Sequence, residues 1–398
     1  MKKKIAFDML LNIVATAIPT FVLQFFILPP LARYMSDERY GLLVTILALL
    51  SIVPATMGNA LNNIRLIFGN ESDRYDENTD YNVILLIMAG INLIAVGIGS
   101  WLYERNITAI SLVLTLAASV LWLFREYYIV AFRIKLNYIS IMISNLIMVA
   151  GYGIGYALFR IYKHWQIIYI MGYLTSLVYI YFKSDLMKEP LRISERFRDI
   201  SFQTVLLVVS SFLARVTTYA DKMFIFPLLG GAVVSVYYAA TLFGKVVSMA
   251  ITPISSVMLS YLSKVQKKND DIFKLTLASS TAVCAVGYFL CVAVSRPVLN
   301  YLYPQFVDQA MNYIWITTGT MVLTSLISIV NPFVLKFFDM KWQIAISSVY
   351  VVLYFSLSML LLGKMGLMGF CIGSLIATAI KLLFMLYIYS HQKEKEAV

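Results

Sequence analysis

Charged residues are scarce in this chain, and their scarcity indicates the class of protein. Only 13% of the 398 residues are Asp, Glu, Lys or Arg, whereas 60% are hydrophobic. A soluble domain carries about twice that charged fraction. The composition therefore excludes an ordinary water-soluble globular protein and indicates a chain that lies largely within a lipid bilayer.

Histidine, cysteine and the residue patterns of catalytic sites are also scarce. The two histidines, His164 and His391, fall in a short loop and in the C-terminal tail. Of the three cysteines, Cys284 and Cys291 are seven positions apart on one predicted helix, about 10 Å, which is too far for a disulfide. The sequence has no metal-binding, nucleotide-binding or paired-carboxylate motif. We therefore expect no catalytic, cofactor or metal site, and no enzyme activity.

Long hydrophobic runs, by contrast, fill the chain almost from end to end. A helix needs about 20 apolar residues to span a bilayer. About twelve stretches meet that length: 5–31, 41–64, 82–101, 107–132, 139–159, 165–182, 202–229, 233–262, 272–294, 311–335, 342–362 and 365–390. The connectors are too short to fold as domains, so we predict an all-α integral membrane protein with about twelve transmembrane helices.

The distribution of basic residues predicts the orientation of those helices. If the N-terminus is placed in the cytoplasm, the cytoplasmic segments carry 20 Lys and Arg and the outer segments carry 7. Such an excess of positive charge on one side is typical of the cytoplasmic face. Both termini are therefore predicted to be cytoplasmic. The net charge of +11 reflects topology and attraction to anionic lipid, and not a nucleic-acid partner.

The longest basic connector divides the twelve stretches into two sets of six. We predict a first six-helix bundle over 1–183, a basic cytoplasmic linker over 184–200, and a second six-helix bundle over 201–398. Because six is even, both halves enter the membrane from the same side, as in transporters built from parallel repeats. A weak internal similarity supports a duplication: a proline lies near the outer end of the first helix of each half, at 29–30 and 227.

Charged residues inside the predicted spans indicate where a substrate binds. Each costs a few kcal/mol at the membrane centre, so it normally faces a cavity or a partner. Four deep cations stand against two acids, Glu126 and Asp221, which predicts a positive cavity for an anionic substrate. Guanidinium groups bind phosphate with bidentate geometry. The candidate substrate-binding residues are Arg215, Lys245, Arg125 and Lys222, with Arg65 at the cytoplasmic end of the second span.

Structural ion pairs are the alternative explanation of the same residues. Asp221 is a candidate for ion coupling, or for pairing with Arg215 or Lys222 as a bridge within the protein. Glu126 is adjacent to Arg125 and is able to neutralise it. Arg65 could also serve only to set the orientation of its span in the membrane. The sequence therefore leaves both interpretations open.

Polar uncharged residues form a second pattern within the first two spans. A polar stripe through a bilayer either holds helices together or lines a wet cavity, and these alternatives stay open. Pro19 interrupts the stripe of the first span and allows a bend that a gate helix would use. The predicted lining consists of Asn12, Thr16, Thr20, Gln24, Asn59, Asn63 and, in the seventh span, Tyr219.

Several motifs resemble those of the polysaccharide transporters. The segment FVLQFFILPPLARYMSDERYGLL at 21–43 resembles the end of their first span. The run YADK at 219–222, followed by Ile225, the Leu-Gly pair at 229–230 and Tyr237, resembles their seventh-span pattern. The segment TPI at 252–254, with Ser-Lys at 263–264, resembles the end of their eighth span. The order and spacing of these loose motifs cover almost the whole chain.

The resemblance implies a lipid-linked oligosaccharide flippase of the multidrug/oligosaccharidyl-lipid/polysaccharide superfamily, with a MATE-like fold of two six-helix bundles. Such a protein would move polyprenyl-diphosphate-linked repeat units of O-antigen, capsule or exopolysaccharide across the bacterial inner membrane by alternating access. By analogy, Arg215, Lys245 and Arg125 would contact the diphosphate. Coupling to H⁺ or Na⁺, and contact with a polysaccharide polymerase, are further implications. The loop at 230–235 lacks the acidic residue that is frequent in the family, so no role is assigned to it.

Other functions fit parts of the sequence. A flippase of the lipid-linked peptidoglycan precursor would need the same basic cavity. A drug/cation antiporter of the superfamily should have a cavity rich in acids, whereas deep basic residues predominate here. A membrane-bound glycosyltransferase or polymerase generally needs a large outer loop, yet the longest outer segment, 295–309, has one acid and one Arg. A passive scaffold would give no reason for buried cations.

Overall fold

The computed structural model of the chain describes residues 2–68, 80–244 and 269–392, and the regular elements in these ranges are helices. This confirms the predicted all-α class. The chain divides into two compact units, Met1–Gly231 and Ala232–Val398.

The described part of the first unit contains ten α-helices and a short 3-10 helix, Leu186–Lys188. The α-helices are α1 Lys2–Val22, α2 Leu28–Tyr34, α3 Asp37–Ile52, α4 Pro54–Phe68, α5 Asp80–Tyr103, α6 Ala109–Tyr128, α7 Val130–Ile134, α8 Tyr138–Tyr162, α9 Gln166–Lys183 and α10 Phe197–Leu229. A π-helical turn, Leu23–Ile27, joins α1 to α2. Single-residue breaks at Val53 and Ile129 join α3 to α4 and α6 to α7, so each of these pairs forms one span.

The described part of the second unit contains three long helices, and a shorter one begins at the unit boundary. They are α11 Gly231–Ala240, α12 Asp270–Leu302, α13 Val307–Phe337 and α14 Met340–His391. At 52 residues, α14 would be about 78 Å long as a straight helix, more than twice the hydrocarbon thickness. Gly366 has φ 59° and ψ −141°, a conformation open to glycine, and it separates two spans. The sequence predicts a division between 362 and 365, and the break lies slightly later, at Gly366.

The described helices account for nearly all of the predicted spans. Eight are long and apolar enough to cross a membrane, and α10, bent by 52° near residue 214, makes nine. Separation of α14 at Gly366 adds a tenth. The 18 residues of α9 are enough for an eleventh. The predicted span at 233–262 begins in α11 and continues outside the described residues. The chain is thus a multi-pass membrane protein with about twelve transmembrane helices.

Short polar side chains fix the starts of several helices. The hydroxyl of Thr108 accepts a hydrogen bond from the backbone N–H of Ser111 at 3.2 Å at the start of α6. At the start of α12, the Asn269 side chain accepts from the backbone N–H groups of Asp271 and Ile272 at 3.0 and 3.1 Å. Such caps satisfy N–H groups that have no partner within the helix, and they mark the ends of the spans.

The seventh span packs against the first unit. Helix α10 lies on α3 and α4, and the Tyr103 hydroxyl of α5 donates to the Met223 carbonyl at 3.1 Å. The Tyr103 ring also meets the Phe226 ring edge-on, with centroids 5.8 Å apart. The compact unit therefore runs through Gly231, beyond the linker at 184–200. The division into bundles of six spans stays a prediction from the order of the spans.

Glycines let two pairs of helices approach closely. On α8, a Cβ at Gly151 would lie 2.6 Å from the Met171 carbonyl oxygen, and one at Gly155 would lie 2.5 Å from the Ile168 Cα of α9. In the second unit, the part of α14 after Gly366 packs in the same way on the part before it. The close contacts are made by Gly369 and Gly373, which lie against the backbone of Leu361 and Ser358. Small residues four positions apart are typical of tightly packed membrane helices.

The linker that follows α9 is held against the first unit by buried polar groups. The Asp80 carboxylate, fully buried at the start of α5, accepts from the backbone N–H of Ser194 at 2.7 Å and from its hydroxyl. The Asn82 side-chain amide donates to the Leu186 carbonyl at 3.0 Å and to the Glu189 carbonyl at 3.4 Å. The segment 184–196, called the linker below, is therefore an ordered part of the first unit.

Replacement of Asp80 by alanine is expected to release the C-terminal part of the linker. Two hydrogen bonds to a carboxylate would be lost, and each is worth about 1.5–3 kcal/mol. We expect trypsin to cleave native protein after Arg192 and Arg196 about tenfold faster or more, because cleavage follows the population of the open segment. Limited proteolysis followed by mass spectrometry measures this rate. The control is Asp199→Ala on the exposed first turn of α10; equal rates for the two variants would contradict the role of Asp80.

Candidate functional site

Basic side chains in the membrane-spanning helices fall into two groups according to their partners. One group forms ion pairs with carboxylates: Arg65, Arg125 and Lys222. The other group has no carboxylate within ion-pair distance among the residues that the structure describes: Arg133, Arg215 and Lys381. Lys245, predicted to bind substrate, lies outside the described residues. The sequence does not give this distinction, which separates cations that already have a carboxylate partner in the protein from those that do not.

Arg65 on α4 is fully engaged with the linker. Its two terminal nitrogens donate to the two carboxylate oxygens of Glu189 at 2.9 and 2.6 Å, and Nη1 also donates to the Tyr127 hydroxyl at 2.7 Å. The guanidinium lies 4.9 Å from the Tyr81 ring centroid, and the residue is only 3% exposed. The structure thus gives Arg65 a partner that competes with its predicted role as a substrate contact.

Lys222 and Asp221 on α10 neutralise one another. The Lys222 ammonium lies 2.7 and 2.8 Å from the two oxygens of the Asp221 carboxylate, and both side chains are buried. Of the two partners predicted for Asp221, the structure therefore provides Lys222 and gives no ion pair with Arg215. A role of Asp221 in ion coupling stays a prediction.

Arg125 takes part in a chain of hydrogen bonds that joins helices α6, α8 and α1. Its Nη1 donates to the adjacent Glu126 carboxylate at 3.0 Å, and its Nη2 donates to the Asn145 side-chain oxygen. The Asn145 amide donates in turn to the Ala15 carbonyl at 2.8 Å. Ala15 is four residues before Pro19, which has no N–H to offer that carbonyl. Asn145 was missed by the sequence analysis because its partner is a backbone group left over by a proline on another helix.

Arg215 is the predicted cation with the weakest engagement within the first unit. It is half-buried on α10, and its Nη1 donates to the Ser51 carbonyl of α3 at 3.3 Å. No carboxylate in the described part of the chain pairs with it. A backbone carbonyl orients the guanidinium but leaves its full charge in place, so Arg215 remains able to bind an anion.

Arg133 is one of the 20 basic residues that the sequence places in cytoplasmic segments, where the positive-inside rule alone would explain it. It lies on α7, half-buried, and its Nη1 donates to the side-chain oxygens of Asn62 and, at 3.1 Å, of Asn63. Asn63 also donates to the Asn59 side chain at 3.1 Å. Asn59 and Asn63 therefore form part of a polar surface around a cation. The adjacent pair of asparagines at 62–63, inside an otherwise apolar span, was the one sequence signal for this cluster.

Lys381 is a third cation without an acidic partner in the described ranges. Its ammonium lies 4.3 Å from the Tyr350 ring centroid, both in α14. An open, apolar groove of about 430 Å³ lies nearby, lined by Val349, Ile380, Leu383, Phe384 and Tyr387. The cation–π contact accounts for the position of the ammonium within the second unit.

The other predicted lining residues lie in different surroundings, and their role in a cavity stays a prediction. Thr16 and Thr20 are exposed on the surface of the first unit, and Gln24 is half-buried. Tyr219 packs beside the apolar cluster of α3. The side chain of Asn12 lies outside the described residues. Pro19 is buried within α1, three residues before the regular helix ends at Val22 and the π-helical turn Leu23–Ile27 begins. Its role as a gate bend stays a prediction.

Within the described ranges, no three His, Cys, Asp or Glu side chains come together as a metal-ligand set. The groups that converge in the first unit are guanidinium, carboxamide and single carboxylate groups. Guanidinium groups of this kind form charge-assisted hydrogen bonds with anions.

Comparison with solved structures identifies the fold. No protein-family model matches the sequence, and no curated relative is detected from it. An inward-facing multidrug resistance MATE family transporter of the MOP superfamily is 12% identical with a TM-score of 0.67, over 95% of this chain and 98% of that one. The lipid II flippase MurJ, in an inward closed conformation, is 12% identical with a TM-score of 0.68, over 96% and 86%.

A third similar structure is a MOP superfamily transporter from Pyrococcus furiosus. It is 12% identical with a TM-score of 0.56, over 96% of each chain, and its binding pocket is described as having a reverse polarity that suggests a different function. At such low identity these matches establish the architecture alone. The chain has the fold shared by MATE transporters and MurJ over almost its entire length, which agrees with the MATE-like arrangement predicted from the sequence.

Proposed function

We propose that this chain, which has the fold of MATE transporters and MurJ, is a flippase for polyprenyl-diphosphate-linked oligosaccharide repeat units. It would carry precursors of O-antigen, capsule or exopolysaccharide from the cytoplasmic leaflet to the outer leaflet of the bacterial inner membrane. The protein would be a transporter and not an enzyme. A polysaccharide polymerase would receive the product on the outer side.

One observation supports this proposal above the others: Arg215 is a membrane-embedded cation without a carboxylate partner in the described chain. Its one assigned hydrogen bond goes to the Ser51 carbonyl at 3.3 Å, so the remaining N–H donors are available to a ligand. A charge at that depth is costly unless a ligand or a wet cavity compensates it. The diphosphate of a lipid-linked sugar offers the matching charge and a bidentate acceptor geometry.

The paired residues fit a second part of the same mechanism. Lys222 with Asp221, and Arg125 with Glu126, are ion pairs that an arriving diphosphate could open by replacing the carboxylate. A carboxylate released in that way would be free to take up H⁺ or Na⁺, which would couple substrate binding to an ion gradient. The lipid tail would stay in the bilayer while the head group follows the polar residues, and alternating access would deliver it to the outer leaflet.

A flippase for the lipid-linked peptidoglycan precursor is a second candidate. The lipid II flippase MurJ shares the fold, and a cationic site suits its lipid diphosphate equally well. We favour the polysaccharide branch because of the motif resemblance at 21–43 and 219–222. A drug/cation antiporter is less well supported, because the unpaired charges of the described spans are positive and would repel a cationic drug.

The test is to deplete the protein in its native cell and to measure which leaflet holds the diphosphate-linked intermediates. Arg215→Ala is tested alongside. Loss of a charge-assisted hydrogen bond to phosphate should slow flipping about tenfold to a hundredfold. Intermediates should then accumulate on the cytoplasmic side in both strains, and mass spectrometry of the lipids would identify the sugar.

Arg198→Ala provides the control, because Arg198 is exposed on the first turn of the same helix. This variant should show a normal distribution of lipid intermediates. Unchanged intermediates after depletion, with altered efflux of dyes or drugs, would refute the flippase and support the antiporter. Accumulation of the peptidoglycan precursor alone would support the second candidate.

A further inference from the structure

We propose that Arg133 is a phosphate-recognition residue that captures the diphosphate of the lipid substrate at the cytoplasmic end of the first unit. This inference rests on the proposed flippase function, and it adds a residue that the motifs do not indicate. Its basis is the way in which two asparagines hold the guanidinium.

Asn62 and Asn63 orient the guanidinium of Arg133 without neutralising it. Both contacts are made by carboxamide oxygens on Nη1. Asn62 is itself fixed, since its side-chain amide donates to the Glu126 carbonyl at 2.9 Å and to the Tyr127 carbonyl at 3.3 Å, and it is only 2% exposed. A carboxamide carries no net charge, so Arg133 is held in place without a carboxylate at ion-pair distance, and Glu126 is the acidic group that acts on it from farther away.

The unused donors of Arg133 match a phosphate. A guanidinium has five N–H donors, and the two contacts to asparagine use Nη1 alone. The Nε and Nη2 edge makes no hydrogen bond with the described residues. That edge is the one that presents two parallel N–H groups to a phosphate or carboxylate. Because Arg133 is half-buried, the edge is shielded enough from water for such a bond to matter and still open enough for a ligand.

The partners of the neighbouring basic residues differ from those of Arg133. Arg65 has both terminal nitrogens on the Glu189 carboxylate, and Arg125 is paired with Glu126. Lys135, two positions after Arg133, is exposed and has the position expected of a topology charge. Arg133 is instead directed at the asparagines of α4. With two arginines and one glutamate, the cluster of Arg125, Glu126 and Arg133 keeps one net positive charge.

The position of Arg133 fits lipid head groups. It lies at the end of the span Ala109–Ile134, on the side predicted to be cytoplasmic. Phosphates of the inner leaflet lie at this level of the membrane, whereas Arg215 lies deeper in its own span. A lipid diphosphate would therefore meet Arg133 before it reaches the interior of the protein.

The experiment measures binding of farnesyl diphosphate to the full-length protein in detergent by calorimetry. Farnesol and inorganic diphosphate serve as the comparison ligands. We expect the unaltered protein to bind farnesyl diphosphate more tightly than either. Arg133→Gln should weaken this binding about tenfold, because one charge-assisted contact is lost. Lys135→Gln removes the same charge at an exposed site and should leave binding unchanged.

Two further variants keep the test decisive if Arg133→Gln folds poorly. Arg133→Lys retains the charge but loses the two parallel N–H donors of Nε and Nη2, so the affinity for farnesyl diphosphate should be intermediate. Asn63→Ala should weaken binding by a smaller factor, because Arg133 loses one of its two supports. Thermal unfolding of each variant checks that the protein is folded.

The possible results separate this inference from the proposed function. If the unaltered protein does not distinguish farnesyl diphosphate from farnesol, both fail. If it does distinguish them but Arg133→Gln and Arg133→Lys bind normally, only the role of Arg133 fails, and Arg133 is a topology charge. Binding of inorganic diphosphate as tightly as the lipid would overturn the capture of a membrane ligand.

Discussion

Replacement of Glu189 by alanine is expected to destabilise the protein by about 3 kcal/mol, because it would leave the Arg65 guanidinium buried without a counter-charge. Arg65 is 3% exposed, and both of its contacts to Glu189 are shorter than 3 Å. Removing one partner of a buried pair costs far more than the pair itself contributes, since the remaining charge stays out of water. The free energy of unfolding, measured by titration with a denaturing detergent, should fall accordingly.

The linker supplies a matched control for this substitution. Lys188 and Asp185 form an ion pair at 2.9 Å, but their side chains are 51% and 89% exposed. Asp185→Ala should therefore leave stability unchanged, as is typical of surface pairs. The double variant Arg65→Met with Glu189→Gln should recover part of the loss, because no charge is then buried alone. Equal stability of Glu189→Ala and Asp185→Ala would show that Arg65 is solvated by other means.

Replacement of Gly155 by leucine is expected to prevent the normal packing of α8 against α9. A Cβ at Gly155 would lie 2.5 Å from the Ile168 Cα and 2.9 Å from the Ile167 carbonyl oxygen, so backbone and not a mobile side chain obstructs it. Overpacking of a tight core costs about 1–3 kcal/mol, and more where backbone must shift. We expect a large fall in melting temperature, or loss of the monodisperse peak in size-exclusion chromatography.

Gly153 on the same helix serves as the control. It is exposed, and a Cβ there would have no heavy atom within 4 Å. Gly153→Leu should therefore give a normal elution profile and melting temperature, although it makes the same change in hydrophobicity and helix propensity two residues away. If both variants were equally stable, α8 and α9 would have to be able to separate without cost.

The sequence predicted the fold because the bilayer imposes a simple rule. A membrane helix must be about 20 apolar residues long, so the run lengths alone predicted the spans, and the break at Gly366 lies within a few residues of the predicted division between 362 and 365. The length rule does not predict where one compact unit ends and the next begins. Helix α10 joins the first unit through contacts such as Tyr103 to Met223, which no hydropathy pattern reports.

The candidate site was predicted only in part, because a sequence records charges but not their partners. Arg65 and Arg215 have the same residue type in apolar spans, yet one faces Glu189 from the linker and the other faces a backbone carbonyl. Glu189 is 124 positions from Arg65 in the sequence, so no local spacing indicates that the two residues form a pair. Arg133 was overlooked for the converse reason, since a basic residue at a helix end follows the positive-inside rule whether or not it turns inward.

The bond between Asn145 and the Ala15 carbonyl has a consequence for how this chain can vary during evolution. Pro19 creates an acceptor without a donor, and a side chain on another helix fills the gap. Positions 19 and 145 are therefore expected to change together among relatives. A chain with another residue at 19 recovers the helical hydrogen bond and no longer needs an asparagine at 145, whereas a proline with an apolar residue at 145 would bury an unsatisfied carbonyl. Such covariation would identify relatives that share this arrangement even where their overall identity is low.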